Sequence, residues 1–300
     1  MKIAISGGTG FVGKHLTQHF LSKGYSVYIL TRSKKTSSEN NLHYVQWLSE
    51  SSNPTSALEG VDVVINLAGK TINTRWTEKA KEEIVDSRVE STKAIYTIIN
   101  SLKKRPSVFI NASAIGIYGT SVDQTFTETS TIKGTDFLAK TVEVWEKEAN
   151  KVNELGVRTV LTRFGIVLGE GGALPKMVLP YKLFAGGPLG SGQQWVSWIH
   201  IDDLVHLIHH IIHTPKITGP VNAVAPNPVQ MNQFGKTIAK KLQRPHWLPA
   251  PSFALKALLG EMSLLLLKGQ RVLPEKALTS QYQFIYPSLD NALGDILKSQ

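Results

Sequence analysis

The first apolar positions form a continuous run, Ile3-Ala4-Ile5, which gives way to glycines and resumes at Phe11, Val12, Leu16, Phe20 and Leu21. The run predicts a buried strand, and the later spacing an amphipathic helix ending at Gly24. Tyr25-Ser26-Val27-Tyr28-Ile29-Leu30 then reads as a second buried strand, completing a βαβ unit. Residues 42–47 predict a third strand and residues 49–58 a polar connection. Residues 61–69 predict a fourth strand running into a small-residue turn. Thr77 is placed to N-cap a long helix through about Leu102, its core face marked by Ile84, Ile95, Ile98 and Leu102. Strand 107–111 follows Pro106 and ends in residues 112–119. A helix is expected over residues 136–154 and a strand over 159–167. Gly169-Glu170-Gly171-Gly172 breaks the alternation. Residues 195–203 lead a strand into a helix to His213, and 221–225 form another strand. Beyond Pro226 and Pro228 the pattern is mainly helical.

Strands alternating with helices predict an α/β fold, a Rossmann-type doubly wound parallel sheet. The boundaries drawn from this pattern give 1–168 and 195–225 to a dinucleotide-binding domain, and 169–194 and 226–300 to a smaller, mainly helical substrate domain. In such sheets ligands sit outside the carboxyl ends of the strands. Gly7, Thr9, Gly10, Phe11, Val12, Gly13, Leu67, Ala68, Gly69 and Ala112 converge there. Gly7, Gly10 and Gly13 stand three apart, a spacing suited to a tight turn whose free N–H groups and helix end face a pyrophosphate.

At the end of the second strand, an NAD-binding fold usually places an acidic residue on the ribose 2′-hydroxyl. This chain reads Thr31-Arg32-Ser33-Lys34-Lys35. Arg32 with Ser33 suits a 2′-phosphate, which a carboxylate would repel, so NADP(H) is expected over NAD(H). For Lys34 and Lys35 a solvated loop is an equal reading. Gly8 to Lys14 also satisfies most of a triphosphate-binding loop, but His15 stands where that motif needs a Ser or Thr for Mg²⁺.

A chain of 300 residues, 42% apolar, is long enough to bury a sizeable core. No stretch has the length of a membrane-spanning helix, the start runs straight into a strand, and a cytoplasmic protein is expected. Zero cysteines exclude disulfides and thiolate catalysis. The net charge of +10 is spread along the chain, so no nucleic-acid partner is expected; it favours an anionic dinucleotide or an acidic substrate. His206, His209, His210 and His213 oppose the apolar face of their helix and read as an exposed polar face, and no metal site is expected.

Taken together, GGTGFVG (residues 7–13), NLAG (66–69), SAIGIYG (113–119) and WIHIDD (198–203) make the chain resemble an extended short-chain dehydrogenase of the NAD-dependent epimerase/dehydratase superfamily. Arg75-Trp76, Ser87-Arg88, Trp145-Glu146, Gly260-Glu261 and residues 269–274 resemble an epimerase-like subfamily with a carboxyl-terminal domain of unassigned function. The resemblance implies NADP(H) binding, with no settled substrate for the subfamily; a small carbonyl or sugar-like substrate between the two domains is the expectation for this chain. The resemblance also implies a Tyr with a Lys four residues later as proton donor, and a Ser that orients the reacting oxygen. Ser113 is the candidate serine. None of the eight tyrosines is followed four positions later by lysine; Phe137 and Thr141 stand where the pair belongs, with Lys140 displaced by one. Tyr118, Lys140 and Asp136 are the alternative donors, Tyr118 being equally readable as a packed aromatic. Arg75 and Trp76 are candidates for holding an anionic substrate or for a structural cap. Arg163 lines the pocket or, equally, pairs with a buried carboxylate. His200 is expected to cap the next helix. An NADP-dependent reductase or epimerase, a non-catalytic NADP(H) sensor and a site for another nucleotide stay open in that order, as does a homodimer.

Overall fold

The computed structural model describes residues 1–49 and 52–298. Its first part runs β1 (Lys2–Ser6), α1 (Phe11–Ser22), β2 (Ser26–Thr31), β3 (Leu42–Gln46), α2 (Pro54–Leu58), β4 (Val63–Asn66), α3 (Glu78–Ser101), β5 (Val108–Ala114), β6 (Thr125–Phe126), α4 (Phe137–Asn150) and β7 (Arg158–Phe164). The second part runs β8 (Ile166–Leu168), α5 (Leu174–Lys182), β9 (Trp195–Val196), β10 (Trp198–His200), α6 (Ile201–His213), β11 (Gly219–Ala223), β12 (Val229–Gln230), α7 (Met231–Leu242), α8 (Ser252–Leu259), α9 (Leu264–Leu267), β13 (Arg271–Val272), α10 (Glu275–Thr279) and α11 (Leu289–Lys298).

Seven strands form one parallel sheet in the order β11-β7-β5-β4-β1-β2-β3. The order reverses between β1 and β4, which opens a crevice at their carboxyl ends. Both faces of the sheet are buried, which is why its strands read as continuous apolar runs. Ile3 and Ile5 face one core with Leu16 and Phe20 of α1 and Leu204, Leu207 and Ile208 of α6. Ala4, Val64, Phe109 and Leu161 face the other, with Ile95 and Ile99 of α3 and Ala149 of α4. A third core gathers α5, α7 and α11 around Trp198 and Leu168. Among the described residues no helix is long and apolar enough to cross a membrane.

Several elements depart from expectation. The strand expected over 159–167 is two, because β8 leaves the sheet to pair with β10. Gly165 makes the break: the Ser197 carbonyl passes so close that a Cβ would collide with it. The polar connection contains α2, started by Pro54 at its first turn, while Glu50 and Ser51 lie outside the described residues. Thr77 does cap α3, accepting from the Ala80 amide. Of the α6 histidines only His213 is exposed. His206, His209 and His210 are half-buried, because α1 packs against the first two and the segment at Ser280 and Tyr282 against the third.

Candidate functional site

The crevice between β1 and β4 is built by backbone. Gly7 adopts φ +70°, and a Cβ there would lie 2.8 Å from the Leu67 carbonyl, so the turn and the end of β4 touch without side chains between them. The Gly10 amide donates to the Gly7 carbonyl at 3.0 Å and closes the turn. A Cβ on Gly13 would collide with that carbonyl, so only glycine lets α1 start this near β1. Phe11 turns its ring onto Gly169, Gly171 and Gly172, which accounts for the glycine run there. Thr9 is exposed at the turn, Val12 is half-buried and Ala112 is buried in β5. Arg32 is exposed at the carboxyl end of β2 with no ion-pair partner among the described residues, beside Ser33.

Beside the crevice lies an inner cavity of about 230 Å³. Its walls are largely apolar, among them Leu138, Val142, Trp145, Phe164 and Met231. Arg88 enters this wall from α3, its Cζ 5.1 Å from the Trp145 ring centroid and its Nη1 donating to the Lys70 and Ile84 carbonyls at 3.0 and 2.9 Å. No carboxylate pairs with it among the described residues, and burial lowers its pKa to about 10. It lies against the end of β4, where a Cβ on Gly69 would be 3.2 Å from its Cζ. The guanidinium is thus held by two backbone carbonyls and an aromatic face, without a counter-charge among the described residues.

Most of the remaining expected residues go elsewhere, while Asp136 lines this cavity and Trp76 the compartment next to it. Ser113 is buried and donates to Glu146 Oε1 at 2.6 Å. Glu146 also accepts from Arg163 Nε and Nη2, each at 2.8 Å, so the buried-carboxylate reading of Arg163 describes its geometry. Arg163 Nη1 donates to the Tyr118 hydroxyl at 2.8 Å, and that hydroxyl donates to Asn222 Oδ1 at 2.8 Å. Asn222 continues to the Leu273 carbonyl, and its amide donates to Glu128. Burial works against the charge on Arg163, but the bidentate Glu146 carboxylate more than offsets it and raises the pKa. Burial raises the pKa of Tyr118 as well. None of Ser113, Tyr118 and Arg163 lines the cavity. Lys140 is exposed and away from it too. Asp136 does line it but caps α4, accepting from the Ala139 amide at 3.0 Å. Arg75 is exposed. Trp76 is buried, its Nε1 donating to the Ile72 carbonyl and its ring edge-on to Phe137.

Residues 3–223 match the model of the NAD dependent epimerase/dehydratase family, and residues 250–296 that of a domain of unknown function, DUF1731. The chain belongs to the epimerase family. It is 52% identical to epimerase family protein YfhF of Bacillus subtilis, over 99% of this chain and 98% of that protein. It is similar to the crystal structure of human epimerase family protein SDR39U1 (isoform 2) with NADPH, at 31% identity, a TM-score of 0.89 and full coverage of both chains. UDP-glucuronic acid 4-epimerase from Bacillus cereus, in complex with UDP-glucuronic acid and NAD, shares the fold at 19% identity, a TM-score of 0.81 and coverage of 100% and 99%.

Within this epimerase-family site, Ala114 and not Ser113 lines the cavity, because successive side chains of a strand face opposite sides. Thr141 also lines it, its hydroxyl spent on the Phe137 carbonyl at 2.7 Å. Sequence reasoning gave Arg88 no role in the site. The signal was present: Ile84, Arg88, Ser91, Thr92 and Ile95 follow the core stripe of α3, and a charge on a buried stripe asks for a partner. His200 caps α6 as expected, its Nδ1 accepting from the Asp202 amide at 3.2 Å.

Proposed function

We propose that the protein binds NADP(H) in the crevice at β1, β2 and β4 and acts as a reductase or epimerase on a small carbonyl compound in the adjoining cavity. The observation that carries the reading is the glycine cradle at Gly7 and Gly13 beside an unpaired Arg32. A phosphate can approach the bare turn and the amino end of α1, and Arg32 with Ser33 would hold the 2′-phosphate. Leu67, Ala68 and Gly69 would border the dinucleotide, with Arg88 supplying positive charge at the β4 end. The NADPH named with the human relative supports the same cofactor. Hydride donation or acceptance is the chemistry a bound nicotinamide supplies. The chain's own contribution is a largely apolar pocket that would orient the carbonyl compound against the crevice.

A second reading, a non-catalytic NADP(H) sensor, is favoured by one specific observation. Phe137 and Thr141 stand where the resemblance puts the Tyr-Lys pair, Thr141 is bonded to the backbone, and the candidate serine, Ser113, donates to Glu146. Titrating purified protein with NADPH and NADH, then adding carbonyl compounds while following NADPH absorbance, separates the two. Selective NADPH binding with consumption supports a reductase; without consumption, inversion of a substrate stereocentre, followed by NMR, supports an epimerase, and neither change across the panel supports the sensor. Arg32→Glu is expected to weaken NADPH far more than NADH, and equal losses would remove the 2′-phosphate assignment.

A further inference from the structure

The inner cavity continues into a second one of about 420 Å³, and Asp136, Leu264 and Lys268 belong to the walls of both. The outer compartment lies between the amino end of α4 and the carboxyl-terminal segment around α8 and α9. Trp76 and Phe137 form its aromatic side, and Lys256 and Lys268 also line it. Of the two acidic residues on its wall, Glu261 shares the Lys81 ammonium with Glu78, at 2.8 and 3.0 Å, and Asp136 is engaged as the cap of α4. Lys256 and Lys268 are exposed and have no carboxylate partner among the described residues. The cleft therefore presents an inner end that is apolar apart from Arg88, and an outer end with two lysines that no described carboxylate pairs.

We infer that this cleft takes an elongated amphipathic anion: an apolar part in the inner cavity and a terminal carboxylate or phosphate held by Lys256 and Lys268. The inference rests on the reading of the cavity as the substrate site and narrows the substrate class. The inner volume lies below that of pockets enclosing drug-sized ligands, so it suits an aryl or short alkyl group. Two ammonium groups at the outer end then select the anion, as point charges that take either oxyanion. Lys268, bordering both compartments, sets where the apolar part must end.

The test uses three matched probes, 6-phenylhexanoate, 6-phenylhexyl phosphate and neutral 6-phenyl-1-hexanol, titrated calorimetrically into the full chain with saturating NADPH. At least one anion is expected to bind about tenfold or more tightly than the alcohol, and comparison of the two identifies which oxyanion is preferred. Lys256→Gln with Lys268→Gln, both exposed positions, should abolish that preference and leave NADPH affinity unchanged. Leu264→Trp, which narrows the junction, should weaken all three probes. Equal affinity for anions and alcohol, or a preference that survives the lysine changes, overturns the inference. A protein that binds no NADPH would instead overturn the proposed function, and the probes are then titrated into the free chain to judge the cleft by itself.

Discussion

A single methyl group decides whether α1 can begin where it does. Gly13→Ala would drive a Cβ into the Gly7 carbonyl oxygen, and backbone cannot yield as a side chain can. The expected cost is about 1–3 kcal/mol of stability, as for other overpacked positions, together with loss of NADPH binding, read by urea unfolding and by titration. The Glu146–Arg163 pair shows the opposite case, a buried charge satisfied on several sides. Arg163→Met is expected to destabilise by about 3–5 kcal/mol, since it strands Glu146 uncompensated. Adding Glu146→Leu to that variant should recover part of the loss in the same urea measurement. Residue identity alone made Ser113, Tyr118 and Arg163 attractive as site residues. Their side-chain direction, set by strand alternation and by the turn after β5, commits them to each other.

At the scale of elements, the contact between α1 and α6 is a pH-sensitive joint. His19 Nε2 and His209 Nδ1 share a hydrogen bond at 2.7 Å, with His206, His213, Lys23 and Tyr25 around them. Burial, with neighbouring positive charge, lowers the pKa of both His19 and His209 to about 4. Their ordinary value is about 6.5, so the unfolded chain binds more protons between those two limits. The stabilising contribution is complete above about pH 6.5 and is lost as pH falls towards 4. Melting temperatures recorded over this range should fall steeply for the native chain and less for His19→Phe with His209→Phe. An unchanged slope in the double variant would exclude the joint as the source. The apolar stripe of α6 was legible from periodicity, but not the helix laid against its polar side, because α1 is 190 residues away in sequence.

For the whole molecule, the carboxyl-terminal segment completes the fold as well as the cleft. Leu289, Ala292, Leu293, Ile296 and Leu297 of α11 are buried against Trp198, Leu168 and Phe234. Full burial of each large side chain contributes roughly 1.5–3 kcal/mol before the entropy cost of ordering the helix, so losing α11 removes a substantial part of this core. Truncation after Ser288 is expected to leave a chain without cooperative thermal unfolding, checked by near-ultraviolet circular dichroism and calorimetry. A truncated protein with a sharp, native-like transition would show that the sheet stands without this cover. The segment also returns to the first core: Ala277 and Tyr282 are buried there, with the Tyr282 hydroxyl donating to the Asp203 carbonyl at 2.8 Å.

Local chemistry by itself determined the alternation of strands and helices, the parallel sheet and the glycine crevice. Each is written in short-range pattern: apolar runs buried on both faces, a cap at Thr77, glycines where a backbone must approach another backbone. The missing Tyr-Lys pair was equally readable, being a matter of spacing. Only the tertiary structure decided which of two neighbours, Ser113 or Ala114, meets the cavity, where Arg88 finds no counter-charge, and that Lys256 and Lys268 stand at its outer end. Those outcomes depend on side-chain direction and on packing between segments distant in sequence, and no local pattern carries that information.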